Sequence, residues 1–160
     1  MGSSGRRGAA VLFAAAAAAY ALDRLTKVWA ENSLQGRSAV RVIPGVLDLR
    51  FTTNSGGAFS IGQRAPWLFV AATIAVAIAI VVTSFRHRGL VTAAALGLVL
   101  GGALGNLTDR IVRGPGLNGR VIDFIDFHVW PVFNAADSAI VIGAALLALT
   151  AFRHGEPTDV

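Results

Sequence analysis

The stretch GLVTAAALGLVLGGALGNLT, residues 89–108, runs for 20 residues without a charge and stops at Asp109-Arg110. About 20 apolar residues are what a helix needs to cross the hydrocarbon core of a bilayer. A second charge-free run, Ala65–Phe85, has 21 residues. Two shorter runs of 15, Gly8–Leu22 and Ser138–Phe152, border on Asp23 and Asp137. They reach spanning length only when those aspartates lie near one helix end. The pattern predicts four transmembrane helices at about 9–29, 66–85, 89–107 and 134–152. Gly8–Leu22, behind Arg6 and Arg7, also has the form of a signal-peptide core, but no small-residue cleavage site follows it.

Composition agrees. The chain has 160 residues, of which 54% are hydrophobic and 14% charged, against about 25% charged in a soluble domain. Mean hydropathy is +0.63. The length suits one integral-membrane domain over residues 1–160. Cysteine is absent, which excludes disulfides, thiolate metal sites and cysteine catalysis. His87, His128 and His154 lack ligand spacing, so neither a metal nor a cofactor is expected. The net charge of +5 is scattered between apolar segments. That argues against a nucleic-acid surface and fits contact with lipid headgroups.

Dense basic clusters set the orientation. Arg6-Arg7, Arg86-His87-Arg88 and Arg153 fall on one side of a four-span topology, which places both termini in the cytoplasm. Asp23, Lys27, Asp109, Asp123 and Asp137 then all lie at the outer interface. Carboxylates at membrane depth are costly and mark functional sites.

The outer segment between the first two helices alternates Leu47, Leu49 and Phe51 with Asp48, Arg50 and Thr52, a period-two strand pattern. Val40–Ile43 is a second β-favouring run, and Pro44-Gly45 is a turn between them. A small β region over about 40–60 is expected, with Asp123 in a loop before the last helix. Gly97, Gly101 and Gly105 make a small-residue stripe suited to close helix packing.

Four polar clusters remain. Asp23 and Lys27, at i and i+4, share a helix face and can pair. Asn54-Ser55-Gly56-Gly57 breaks the strand pattern and lets backbone approach closely. Asn106, Asp109 and Arg110 end the third apolar run, and Asp109-Arg110 can form a local charge pair. Asn134 or Asp137 can cap the fourth helix. Asp123 and Asp137 are the two carboxylates with apolar flanks. Two such carboxyls sharing a proton can activate water and polarise a scissile carbonyl. A serine–lysine peptidase built on Lys27 with Ser60 or Ser138 is a rival, disfavoured by the carboxylate beside Lys27. A small ion or proton conductor is another, disfavoured because the aspartates gather at one interface.

Together, Asp23-x-x-x-Lys27, Asn54-x-Gly56-x-Ala58-Phe59, Gly105-Asn106-x-x-Asp109-Arg110, Val121-x-Asp123-Phe124 and Phe133-Asn134-x-Ala136-Asp137-Ser138 resemble the lipoprotein signal peptidase (signal peptidase II) family, in that family's order and over nearly the whole chain. The resemblance implies an all-α membrane protein of four helices with an extracytoplasmic β-cradle, in the bacterial inner membrane. It implies an aspartyl endopeptidase, monomeric and cofactor-free, that cuts diacylglyceryl-modified prolipoproteins just before the lipidated cysteine and is sensitive to globomycin. The catalytic pair it implies is Asp123 and Asp137. Its supporting residues fall on Asp23, Lys27, Asn54, Gly56, Asn106, Asp109, Arg110 and Asn134.

Overall fold

The computed structural model describes residues 3–55, 66–86 and 89–154. Gly56, Ser60 and the rest of the expected β region beyond Ser55 lie outside the described residues. The elements are α1 (Ser3–Leu34), β1 (Val40–Ile43), β2 (Leu47–Asn54), α2 (Pro66–Val82), α3 (Leu90–Val112), β3 (Val121–Asp126) and α4 (Ala135–His154). The protein is mostly helical, with a three-stranded antiparallel sheet in the order β1-β2-β3.

Helix lengths depart from expectation in instructive ways. α1 has 32 residues, about 48 Å of helix, so it outruns the bilayer core. No glycine or proline interrupts Ala9–Leu34, and the helix ends just before Gly36, which takes φ 72°. Charged residues therefore prolong the helix beyond the apolar run instead of ending it. α2 has 17 residues, about 25 Å, because the chain leaves the helix after Val82 in a series of tight turns through Arg86. Among the described residues, three helices (α1, α3 and α4) are long and apolar enough to cross a membrane, and α2 is apolar but shorter.

Close approach of α1 and α3 rests on small residues. A Cβ on Gly97 or Gly101 would collide with the backbone carbonyls of Leu12 or Ala16. The alanine run of α1 supplies the matching low surface. In lipid such interfaces gain their energy from van der Waals contact, since apolar burial is no longer a driving force. Leu12, Ala16, Ile80, Ala93 and Leu100 fill the junction of α1, α2 and α3. Leu25, Val28, Ile78, Val82, Val141 and Phe152 are exposed, the outward apolar surface of a membrane protein.

The sheet caps one end of the helices. Ile43-Pro44-Gly45-Val46 is a type II turn, with Gly45 at φ 75° and the Val46 N–H donating to Ile43 O at 2.9 Å. Leu49 and Phe51 pack inward beside Ala30, Leu34, Ile122 and Phe124. Trp29 meets the Phe124 ring edge-on at 6.1 Å.

Residues 121–126 correct the sequence reading. They form β3, a strand hydrogen-bonded to β2, and not a loop. Alternation is missing because nearly every side chain of β3 is buried, on both faces. Between the Leu49↔Ile125 and Thr52↔Asp123 pairs, β2 holds one extra residue. This bulge re-aims the side chains beside Asp123.

Candidate active site

The chain segment from β3 to α4 makes the site. After Asp126 it turns back, and Phe133 bridges to Ile125, with the Phe133 N–H donating to Ile125 O at 3.1 Å and the Ile125 N–H to Phe133 O at 2.9 Å. Stacked rings of Phe127 and Phe133, 5.9 Å apart, close the loop. The next residue, Asn134, is the N-cap of α4. Its Oδ1 accepts the Asp137 N–H at 2.9 Å, and Asp137 Oδ2 accepts the Asn134 N–H at 3.3 Å. This reciprocal pair is a capping box. Capping and site geometry are therefore one arrangement: the cap sets Asp137 in place.

Asn134 also holds Asp123. Its Nδ2 donates to Asp123 Oδ1 at 2.6 Å and to Ile122 O at 3.1 Å. One fully buried residue thus ties both carboxylates, Asp123 by its side chain and Asp137 by its backbone N–H. Asn106 Nδ2 donates to Asp137 Oδ1 at 2.8 Å, and the Asn54 side chain hydrogen-bonds Asp123. Burial first, and then the charge of Asp137, push the Asp123 carboxyl up to about 7, against the opposing bonds from Asn134 and Asn54. The other acid of the strand, Asp126, is three residues away and so points from the opposite face. Arg50 and the His128 N–H hold Asp126 below the usual carboxylate range.

Both carboxylates line a cavity of about 330 Å³, together with Asn54, Thr73, Asn106, Arg110 and the Trp130–Phe133 loop. One side is polar. Val121, Val132, Ile140 and Val141 make the other side apolar.

Behind the cavity lies a buried charge cluster. Lys27 is fully buried, and its Nζ has three oxygens at 2.9 Å: Asp23 Oδ2, Asp109 Oδ2 and Asn106 Oδ1. Lys27 thus donates to Asn106 and has its charge compensated by two carboxylates. None of these partners is a hydroxyl, and Ser138 Oγ donates instead to Asn134 O, which disfavours a serine–lysine pair. Asp23 Oδ1 accepts the Ala136 N–H at 3.1 Å, satisfying another free donor at the start of α4. The hydrogen of Gly105 leaves room for the Asp23 carboxyl, which a Cβ there would strike.

Asp109 does not take Arg110 as its ion-pair partner, contrary to the simplest reading of Asp109-Arg110. Adjacent helical residues diverge by about 100°. Asp109 instead meets Lys27, Arg24 and Arg113. Arg110 turns toward the cavity, where its charge acts on Asp123 and Asp137 and its NH1 makes long bonds to Ser55 O and Gly119 O. Of the expected site residues, Asp23, Lys27, Asn54, Asn106, Asp109, Arg110, Asp123, Asn134 and Asp137 gather here, and Gly56 is outside the described residues. Sequence reading missed Arg24, Glu31 and Arg113. The i,i+4 spacing of Asp109 and Arg113 was the one local signal.

A mostly helical chain with apolar helices of membrane-spanning length and a small capping sheet is an architecture shared with solved membrane enzymes. Two bacterial membrane enzymes match with TM-scores of 0.78 and 0.73, at 28% and 29% identity; each match covers 93% of this chain, and 93% and 94% of theirs. The family model for signal peptidase (SPase) II matches residues 15–153. The lipoprotein signal peptidase of Rhodococcus jostii is 42% identical over 148 residues, 92% of this chain and 75% of that protein. That of Streptomyces coelicolor is 42% identical over 154 residues, 96% of this chain and 76% of its own length. The chain belongs to the signal peptidase II family, and it is a multi-pass bacterial membrane protein.

Proposed function

We propose that the protein is an aspartyl endopeptidase that removes the signal peptide from diacylglyceryl-modified prolipoproteins, with Asp123 and Asp137 as the catalytic pair. The observation that carries this reading is the single buried Asn134, which hydrogen-bonds Asp123 through its side chain and Asp137 through its backbone, at one cavity. Asp123 carries the shared proton at neutral pH, as its pKa of about 7 supports. Asp137, accepting N–H bonds on both oxygens, takes a proton from the attacking water. The protonated Asp123 polarises the scissile carbonyl and then protonates the departing amine. Asn54, Asn106 and Arg110 line the cavity and orient the peptide. Asp23, Lys27 and Asp109 hold the helices that carry it.

The bilayer explains why the site sits where it does. Three long apolar helices and the shorter α2 together make four spans, with both termini cytoplasmic and the cavity at the outer interface of the inner membrane. A cysteine bearing two acyl chains is anchored at that depth, so the bond before it is held near the aspartates. The apolar wall of Val132, Ile140 and Val141 lets the chains enter from lipid. The protein acts as a monomeric domain over residues 1–160 without metal or cofactor, and globomycin competes for the same cavity.

The test is direct. Asp123→Asn and Asp137→Asn should each abolish cleavage of a lipidated precursor in proteoliposomes while the protein still inserts and folds. Full cleavage by either variant would rule out the pair.

A further inference from the structure

Asp109 touches β3 directly. Its Oδ2 accepts the backbone N–H of Ile122 at 3.2 Å, one residue before Asp123. Ile122 O accepts Asn134 Nδ2, so residue 122 is held through both its N–H and its carbonyl. Asp109 Oδ1 is anchored separately, by Arg24 NH1 and by Arg113 Nε at 3.1 Å. Arg113 is itself gripped by Glu31 of α1 in a two-point fork, NH1 to Oε1 at 2.7 Å and NH2 to Oε2 at 3.0 Å. Glu31 lies one turn beyond Lys27, so the end of α1 reaches Asp109 directly through Arg24 and Lys27 and again through Glu31 and Arg113.

From this chain of contacts we infer that Arg113, held by Glu31 and assisted by Arg24, is a positioning residue for Asp123, acting through Asp109 and the Ile122 N–H. The terminal torsion of an aspartate is soft. With Oδ1 anchored, Oδ2 stays aimed at Ile122. Lys27 Nζ shares Oδ2 with the Ile122 N–H, at 2.9 Å; with Arg113 removed, Arg24 alone holds Oδ1, the carboxylate pivots about the Lys27 contact, and its bond to the Ile122 N–H in a buried strand lengthens. The peptide that carries Asp123 then shifts. A displacement of about 1 Å in a reacting group costs on the order of 100-fold in rate. Lys at position 113 would keep the charge but not the planar fork that meets Glu31 and Asp109 together.

The inference rests on the peptidase reading above, and the experiment separates the two. Cleavage of a synthetic lipidated precursor is followed in detergent micelles for wild type, Arg113→Gln, Arg113→Lys, Glu31→Gln and the Glu31→Gln/Arg113→Gln double variant. Arg113→Gln should lower kcat on the order of 10-fold with KM little changed, and Arg113→Lys should not restore it. The double variant should be no slower than Arg113→Gln alone, since both act along one path. The alkaline limb of the pH–rate profile should also move to lower pH, as Asp123 becomes better hydrated. The groups facing Asp123, namely Asp137 of α4, Arg110 of α3, Lys27 of α1, Asn54 of β2 and Asn134, are unchanged in these variants, so the limb reports position. If Arg113→Gln fails to fold, Arg24→Gln makes the same test through the other anchor of Oδ1. Wild-type cleavage with kcat and pH limb unchanged in the variants overturns the inference alone. A wild-type enzyme that leaves the precursor intact overturns the peptidase reading and the inference with it.

Discussion

Replacing Asp123 by Asn should stabilise the protein while inactivating it. Asp123 is 2% exposed, and burial together with Asp137 raises its pKa from 3.8 to about 7. A carboxyl with a higher pKa in the folded state keeps a proton that the unfolded chain has released. Below about pH 4 both states are protonated and there is no cost. Between about pH 4 and pH 7 the unfolded chain ionises first, so stability falls as pH rises. Above about pH 7 both states ionise and the cost is constant. At about 1.4 kcal/mol per tenfold change in proton affinity, the cost is about 2 kcal/mol near pH 5 and about 4 kcal/mol near pH 8. Asn has the same shape, and its Oδ1 can still accept from Asn134 Nδ2. Asp123→Asn should therefore exceed wild type by up to about 4 kcal/mol near pH 8, and by about half that near pH 5. Reversible unfolding in mixed micelles at both pH values, followed by tryptophan fluorescence, measures the gap. A variant no more stable than wild type near pH 8, with the same pH slope, would refute the assignment of a strained, protonated Asp123.

Three further outcomes follow from the same geometry. Lys27→Met leaves Asp23 without its cation in a fully buried site, while Asp109 keeps Arg24 and Arg113, and should cost about 3–5 kcal/mol in thermal unfolding; near-wild-type stability would mean the cluster is solvated. Gly105→Ala drives a methyl group into the Asp23 carboxyl and should cost about 1–3 kcal/mol. A melting temperature for Gly105→Ala equal to that of wild type would contradict the close approach. Asn134→Ala removes the cap and the tether on Asp123 at once. It should lose about 1 kcal/mol of stability but on the order of 100-fold in kcat, and a loss of stability without a loss of rate would reduce Asn134 to a cap.

Much of this architecture can be read without coordinates, because a bilayer imposes long-range order on local composition. A charge-free run of 20 residues such as 89–108 must be a helix if it meets lipid, since every backbone group has to be satisfied within the segment. The Pro44-Gly45 turn and the alternation at 47–52 are also local, and both stand in the structure. Asp23 with Lys27 follows from helix spacing alone. Asp23, Asp109 and Asp137, each near one end of an apolar run, meet at one end of the helices.

What local pattern could not supply is what depends on partners far along the chain. β3 shows no alternation because it is buried on both faces, and only its pairing with β2 makes it a strand. The extent of α1 beyond its apolar run is set by Asp23, Lys27 and Glu31 finding partners on α3 and α4. Asp109 finds Arg24, Lys27 and Arg113 instead of its neighbour Arg110 because a helix turns adjacent side chains apart. Glu31 and Arg113, 82 residues apart, meet only when α1 and α3 close on their glycine and alanine faces. Sequence by itself determined which segments are apolar enough to enter a membrane and which carboxylates border those segments. Tertiary structure alone decided which of those carboxylates share Asn134, because hydrogen bonds and ion pairs depend on contact in space and not on distance along the chain.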